Sequence, residues 1–125
     1  MKSTIEIPNA PSPVGPYSQA IKYNGLTIAS GQIAIDPKTG VLDTSSIENE
    51  TLQILKNIDA LLKAGNLKRE NILKCSIFLK DMNDFNKVNE IYRSFFNKPY
   101  PSRETVEVAR LPKDANIEIS FIAGE

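Results

Sequence analysis

The chain of 125 residues is long enough to fold around a core of its own, and we expect one domain over residues 1–125. Its 15 basic and 15 acidic residues cancel, so no net charge favours nucleic acid or an anionic membrane as a partner. Histidine is absent and Cys75 is the single cysteine. This excludes Ser-His-Asp and Cys-His catalysis and an intrachain disulfide, and it argues against a zinc site.

The N-terminus lacks the apolar core of a signal peptide, and no apolar run reaches the ~20 residues that a transmembrane helix needs. A single cysteine also fits a reducing compartment. We therefore expect a soluble cytoplasmic protein that uses arginine, hydroxyl, amide and carboxylate side chains, backbone groups and water for any chemistry.

The first third of the chain predicts a β-hairpin. Residues 3–7 are compatible with a short strand, and residues 8–16 hold four of the eight prolines, which excludes regular structure there. Residues 17–23 alternate as a strand, Asn24-Gly25 is a strong two-residue turn signal, and residues 26–35 make the return strand.

Ser30-Gly31 interrupts this second, otherwise apolar strand. A glycine inside a strand marks either a bulge without a ligand or a place where another group approaches the backbone closely. The residues alone give these two interpretations about equal weight.

Two amphipathic helices are predicted in the middle of the chain. Ser45 and Glu48 form a capping box for the first helix, and Gly65 ends it. Its apolar positions are Leu52, Leu55, Ile58, Leu61 and Leu62. Residues 81–84 offer caps for the second helix, whose apolar stripe consists of Phe85, Val88, Ile91, Tyr92, Phe95 and Phe96. Asn89 lies close to that stripe, where it either joins a site or hydrogen-bonds a neighbouring loop.

Between the helices, residues 72–79 alternate as a strand with Leu73, Cys75, Ile77 and Leu79 on one face. Cys75 is therefore predicted to be a buried small hydrophobe. It is not expected to be a nucleophile, since no histidine is present to activate its thiol.

A further strand begins at Arg103, after a Tyr-Pro-Ser turn. Val106 and Val108 favour one face as the core face, which would place Arg103 and Thr105 on the opposite face. An arginine beside a hydroxyl residue at a strand start suits a carboxylate or phosphate ligand. The commoner case for such an arginine is a surface salt bridge. Residues 117–123 make the last strand.

The predicted order of elements is strand-strand-helix-strand-helix-strand-strand, which is typical of an α+β fold with two helices on one face of the sheet. The other face, with Glu118, Ser120, Thr105 and Glu107 among apolar neighbours, is left open, and this predicts a homo-oligomer. Glu118 is then either a solvated or salt-bridged carboxylate, or a residue covered by another subunit that orients or deprotonates water.

With these segments identified, the sequence resembles the Rid family (the YjgF-type proteins), and within it the imine-deaminase branch. The resemblance covers essentially the whole chain. It is carried by Asn9-Ala10-Pro11, Gly15-Pro16-Tyr17-Ser18-Gln19-Ala20, Ser30-Gly31-Gln32-Ile33, residues 36–40, residues 80–85 with Val88-Asn89, Arg103 with residues 106–114, and Ile117-Glu118-Ile119.

The resemblance implies a chorismate-mutase-like mixed β-sheet with two helices packed on one face. It also implies a barrel-like homotrimer with active sites in the clefts between subunits. Family members of this branch hydrolyse reactive enamine and imine intermediates, such as 2-iminobutanoate and 2-iminopropanoate, to 2-oxo acids and ammonia. The resemblance implies no cofactor and no metal.

Carried over by position, Arg103 would hold the substrate carboxylate and Glu118 would position or activate water. Tyr17 would line the cleft from the neighbouring subunit, and Ser30, the Gly31 backbone and Asn89 would shape the pocket.

One position departs from the pattern of close relatives, which often carry cysteine two residues after the arginine. Thr105 stands there in this chain, so a thiol role is weakened, while a hydroxyl or backbone group can still contact the ligand.

Two other functions stay open at this point. One is a non-catalytic trimer that acts as a regulator by binding small carboxylates or a protein partner. The presence of Arg103 favours the enzyme over this regulator. The other, an endoribonuclease or translation inhibitor, also attaches to the family. The zero net charge and the lack of a basic-aromatic patch give it little physical support.

Overall fold

A six-stranded mixed β-sheet and two α-helices make up the computed structural model, which describes residues 1–8, 10, 13 and 15–125. In chain order the elements are β1 (Ser3–Ile5), β2 (Ala20–Tyr23), β3 (Leu26–Ala29), α1 (Ile47–Ala64), β4 (Ile72–Leu79), α2 (Phe85–Phe95), β5 (Ser102–Glu107) and β6 (Ile117–Gly124). The strands lie side by side as β1-β2-β3-β6-β4-β5. Only β4 and β5 are parallel neighbours. The predicted α+β class is confirmed.

The N-terminal hairpin forms at the predicted turn. Asn24 and Gly25 have φ angles of 49° and 78°, the left-handed values that a tight hairpin of this type needs. Both strands are shorter than predicted, since β2 begins at Ala20 and β3 ends at Ala29. Beyond β3, the chain makes only an isolated bridge from Gln32 to Ile119 of β6. Residues 9, 11, 12 and 14 of the predicted proline-rich segment lie outside the described residues.

Helix α1 begins one residue later than the capping box predicts. The Oγ of Ser46 accepts the backbone N–H of Asn49 at 3.0 Å, so Ser46 is the cap. Ser45 instead donates its hydroxyl hydrogen to the carboxylate of Asp43 at 2.6 Å. Leu52, predicted in the apolar stripe, is 41% exposed. The predicted stop at Gly65 is confirmed.

Strand β4 carries a bulge that changes which side chains are buried. The pairing with β6 shifts register between Ile72 and Lys74, and this turns Leu73 outward, where it is 52% exposed. The prediction that Leu73 shares the buried face was therefore wrong. Cys75 is buried as predicted, and that burial raises the pKa of its thiol.

Both helices pack on one face of the sheet, and the alternation of β6 shows the two faces clearly. Ile117, Ile119, Phe121 and Ala123 are buried in the core with residues of α1 and α2, while Glu118, Ser120 and Ile122 point to the other face. That other face carries large apolar side chains that are roughly half exposed, namely Tyr23, Leu26, Ile28, Leu73 and Val106. We call it the open face. In the described part of the chain, no helix has both the length and the apolarity to cross a membrane.

Candidate active site

Arg103 lies on the edge strand β5 and faces the helices. Parallel pairing places it beside Cys75 of β4, which is a core residue. Its guanidinium carbon lies 4.9 Å from the ring centre of Tyr92 and 5.6 Å from that of Phe85, both in α2. Within the described residues Arg103 forms no salt bridge, so the surface ion-pair alternative is wrong.

The prediction that Arg103 and Thr105 lie on the face away from the helices is therefore also wrong. It took Val106 as the marker of the core face, but Val106 is 42% exposed on the open face. The neighbouring open-face residue Glu104 pairs with Lys74 at 2.8 Å. The open face is itself apolar, so the hydrophobicity of one valine could not tell the two faces apart.

Thr105 of β5 and Asn89 of α2 lie on the same side of the sheet as Arg103. Thr105 pairs with the core residue Ile77, and its buried Oγ1 has no hydrogen-bond partner among the described residues. Asn89 is half-buried in α2, four residues after Phe85 and three before Tyr92, and so lies on the side of the helix that faces Arg103. No hydrogen bond joins its side chain to the described part of a neighbouring loop. We call Arg103, Thr105 and Asn89 the arginine half-site.

Glu118 lies on the open face, half-buried, where a turn of backbone meets β6. Gln32 and Ile119 exchange two backbone hydrogen bonds, at 2.8 and 3.0 Å, which hold that turn beside the strand. A Cβ built on Gly31 would lie 2.4 Å from Oε2 of Glu118. The Glu118 side chain therefore approaches the Gly31 backbone closely, and of the two interpretations of Gly31 this one is confirmed.

The Glu118 carboxylate lies in a partly desolvated environment. Burial raises its pKa above the ordinary value for a glutamate. Within the described residues it forms no salt bridge, so the salt-bridged alternative is not observed. A half-buried carboxylate that forms no salt bridge suits the acceptance of a proton from water better than it suits a structural role.

A cleft of about 710 Å³ adjoins Glu118, and three more of the predicted residues line it. They are Tyr17, Ser30 and Gly31. The hydroxyl of Ser30 donates to the carbonyl of Ser18 at 2.6 Å, which ties the cleft wall to the segment that carries Tyr17. We call Glu118, Tyr17, Ser30 and Gly31 the glutamate half-site.

Two residues of this region were not singled out from the sequence. Lys113 also lines the cleft and has a left-handed φ of 55°, a conformation that recurs at functional sites. Glu50 of α1 is completely buried, and its carboxylate accepts the backbone and side-chain N–H groups of Asn116 at 2.7 and 2.8 Å. These bonds fix the chain two residues before Glu118. The sequence signalled this Glu50–Asn116 contact only through the presence of a glutamate inside the first predicted helix.

The two half-sites cannot meet within one chain. Arg103 pairs with Cys75 of β4 and Glu118 with Phe78, so they are two strands and three residues apart. Sheet spacings then separate their backbones by about 14 Å. Their side chains also leave the sheet on opposite faces. A substrate of a few atoms could touch both only if the half-sites came from different subunits.

The site offers no obvious place for a metal, since the described residues contain no group of three or more potential Cys, Asp or Glu ligands. Among the described residues it offers instead an arginine and a glutamate that form no salt bridge, with hydroxyl and amide groups beside them.

Comparison with known proteins shows which family the chain as a whole is similar to. Residues 7–125 match the profile of the family described as Endoribonuclease L-PSP. A RutC family protein of Pyrococcus horikoshii is 50% identical over 98% of both chains. A 2-iminobutanoate/2-iminopropanoate deaminase of Salmonella typhimurium is 45% identical over 98% of both chains. A crystal structure of a Rid-family protein of unknown function from Yersinia pestis superposes over both whole chains with a TM-score of 0.96 and 50% identity.

Proposed function

Because this chain belongs to the Endoribonuclease L-PSP family, which is the Rid (YjgF-type) family that its sequence resembles, we propose that it is a hydrolytic deaminase of 2-imino acids. Its substrates would be 2-iminobutanoate and 2-iminopropanoate, and its products the 2-oxo acids and ammonia. The name of the Salmonella typhimurium relative supports this substrate class. The reaction would need no metal or cofactor.

One observation supports this function above the others: two unpartnered, opposite charges lie on opposite faces of one sheet. Neither Arg103 nor Glu118 is neutralised by a salt bridge within the described residues. A homo-oligomer that brings one subunit's helix side against another's open face would place the two charges around one small zwitterion-like substrate. We propose that this oligomer is a homotrimer of single-domain subunits, each formed by residues 1–125.

The open face supplies the driving force for that assembly. Leu26, Ile28 and Leu73 are each exposed by about half, and a monomer gains nothing from leaving so much apolar surface in water. Their burial between subunits would bring the Glu118 cleft to a subunit boundary.

Arg103 would bind the carboxylate of the imino acid through two parallel N–H···O bonds. Its guanidinium is half-buried against aromatic rings, so the pair would form where water competes less than at an open surface. This contact would fix the position of the imine carbon next to the carboxylate.

Glu118 would hold the attacking water and take its proton. The water oxygen bonds to the imine carbon, the C=N π electrons move to nitrogen, and the proton passes to the carboxylate. The protonated carboxyl then returns that proton to nitrogen. Ammonia leaves as the C–O bond becomes a carbonyl, the remaining hydroxyl proton passes to the Glu118 carboxylate, and the departing ammonia carries it away as ammonium. A protonated imine is already electrophilic, so placement of these groups supplies most of the catalysis.

The remaining residues would enclose the substrate. Tyr17 and Ser30, with the Gly31 backbone, would form the wall on the glutamate side. Asn89 and the orphaned hydroxyl of Thr105 would form the wall on the arginine side. Their hydroxyl, amide and backbone groups can form hydrogen bonds with a small polar molecule, and the Tyr17 ring can pack against its apolar part.

A coupled assay tests the activity. A threonine or serine dehydratase generates the imine, semicarbazide competes for it, and release of the 2-oxo acid is followed with and without this protein. We expect acceleration of 2-oxo acid release. If the protein binds 2-oxo acids but gives no acceleration, it is the non-catalytic carboxylate-binding regulator instead.

A mixing experiment tests the shared site. Arg103→Ala and Glu118→Gln subunits are each expected to be inactive alone. In a trimer containing both kinds, one boundary retains both wild-type residues, so a random mixture should recover about one quarter of the wild-type rate. Refolding both variants together, with the separately refolded variants as controls, measures this. No recovery in proven mixed trimers would contradict a site shared between subunits.

A further inference from the structure

We propose that Phe85 and Tyr92 are positioning residues: their rings form a clamp that holds the Arg103 guanidinium in the orientation needed to receive a carboxylate. This inference rests on the proposed function, and it adds two residues to it. Both rings had been expected from the sequence to serve only the core stripe of the second helix.

The geometry of the clamp is that of two cation–π contacts from one helix. The guanidinium carbon of Arg103 lies 4.9 Å from the Tyr92 ring centre and 5.6 Å from that of Phe85, both within the range of such contacts. The two rings are two helical turns apart on one face of α2. A flexible side chain on an edge strand is thereby held at two points.

The Tyr92 ring is itself immobilised. It is buried and packs against Phe96, with ring centres 4.7 Å apart. Phe96 is itself buried in the hydrophobic core. The clamp therefore transmits the rigidity of the core to the guanidinium of Arg103.

Arg69 shows what an arginine of this chain does when its role is structural. Its guanidinium lies 3.9 Å from the Phe95 ring centre, but it also binds both carboxylate oxygens of Asp59, at 2.9 and 2.6 Å. Arg103 has the ring contacts without a carboxylate. Ring faces stabilise the cation without using its N–H donors, so the N–H donors of Arg103 stay available for a ligand.

The hydroxyl of Tyr92 does not neutralise the arginine either. Its oxygen is buried beside the Cys75 thiol and forms no hydrogen bond to Arg103, and burial raises the pKa of Tyr92, which keeps the phenol uncharged. The nearby titratable groups are Cys75, whose thiol pKa burial also raises, and Glu104, which faces away with Lys74. In the described part of the chain, therefore, no salt bridge occupies the guanidinium of Arg103.

The test separates the ring from the hydroxyl and from core packing. Tyr92→Leu and Phe85→Leu remove a ring, while Tyr92→Phe keeps the ring and removes only the hydroxyl. Phe95→Leu is the matched control, because it removes a buried α2 ring that contacts Arg69 and not Arg103. Each variant is measured for Tm, for the ¹⁵N order parameter of the Arg103 Nε, for the dissociation constant of 2-oxobutanoate, and for kcat and KM with the imine.

We expect Tyr92→Leu and Phe85→Leu to lower the Arg103 order parameter and to raise both KM and the dissociation constant by about 3- to 30-fold. Their kcat should change less than their KM. Tyr92→Phe should stay within about twofold of wild type in both constants. Phe95→Leu should lower Tm without changing the order parameter of Arg103.

An unchanged order parameter in both ring-removing variants would overturn the clamp. So would a lower order parameter with unchanged 2-oxobutanoate binding, or an equal effect from Phe95→Leu. If Tyr92→Leu does not fold, the half-buried Phe85 still decides the question through Phe85→Leu. These outcomes differ from failure of the proposed function, in which the wild-type protein itself would not hydrolyse imines while Arg103 remained ordered by its rings.

Discussion

The arginine half-site and the glutamate half-site are held in place by different means. Arg103 is positioned by side chains, since two rings of α2 contact its guanidinium. Glu118 is positioned by backbone, since the turn at Gly31 passes so close that no side chain fits between them. A long cation on an edge strand needs restraint, whereas a short carboxylate on an inner strand needs room. One sheet thus presents both charges, on faces that only a second subunit could bring together.

Loss of the glutamate should have the largest effect. We expect Glu118→Gln to lower kcat by about 10²–10⁴-fold with a smaller change in KM, because the amide keeps the shape and cannot accept the proton. Steady-state kinetics in the dehydratase-coupled assay measure this. A loss below tenfold would mean that Glu118 only holds the water.

The same variant sharpens the pH dependence. Burial raises the pKa of Glu118, so the acid limb of kcat/KM should have its midpoint above the ordinary glutamate value and should vanish in Glu118→Gln. The ratio of the two pH profiles removes any ionisation of the imine itself. Activity should rise with pH in this range, whereas stability should fall. Because the pKa of Glu118 is higher in the folded than in the unfolded state, the free energy of unfolding of the wild type should decrease, relative to that of Glu118→Gln, as pH rises from the unfolded-state pKa through the folded-state pKa.

The arginine half-site should respond to geometry as well as to charge. We expect Arg103→Ala to lower kcat/KM by about 10²–10³-fold, since the substrate carboxylate loses a charge-assisted pair. Arg103→Lys keeps the charge without the planar fork and should recover only part of that loss. Comparing kcat/KM of the two variants with that of wild type measures how much of the binding of the substrate carboxylate depends on the two parallel hydrogen bonds of the guanidinium. Full activity in Arg103→Lys would reduce Arg103 to a point charge.

Much of the fold, and the glutamate half-site in part, could be predicted from the sequence. Periodicity predicted both helices, the hairpin at Asn24-Gly25 and the bounds of β4. It also placed Glu118 on the open face correctly, because β6 alternates without interruption. Gly31 signalled a close approach, although its partner could not be known before β6 was placed beside it.

The errors have several causes, and the first is that hydrophobicity does not say which face of a sheet the helices cover. Val106 misled the assignment of β5 because the open face is also apolar. Leu73 was misplaced because a bulge breaks the alternation of β4. The Phe85 and Tyr92 contacts with Arg103 join segments that are distant along the chain, and no local pattern encodes such contacts.

The backbone restraint on Glu118 can be broken by a single methyl group. In Gly31→Ala the new Cβ would lie 2.4 Å from Oε2 of Glu118, so the carboxylate must move. We expect kcat to fall by about tenfold or more, since a displacement of about 1 Å in a catalytic group can cost 10²-fold. Kinetics with far-UV circular dichroism check that the fold is retained. Unchanged kcat would show that the Glu118 position is not critical.

The smallest effect on activity is expected from substitutions of Thr105. They test whether the Thr105 hydroxyl contributes to substrate binding, to folding stability, or to both. Its buried Oγ1 has no partner in the described part of the chain, and such a group destabilises a fold. The nearly isosteric Thr105→Val should therefore raise the free energy of unfolding by roughly 1 kcal/mol, measured by urea titration. If the hydroxyl binds substrate in the assembled protein, the same variant should raise KM by a few-fold, while Thr105→Ser should leave KM near wild type. Lower stability with unchanged KM would instead show that the hydroxyl bonds within the protein and takes no part in the site.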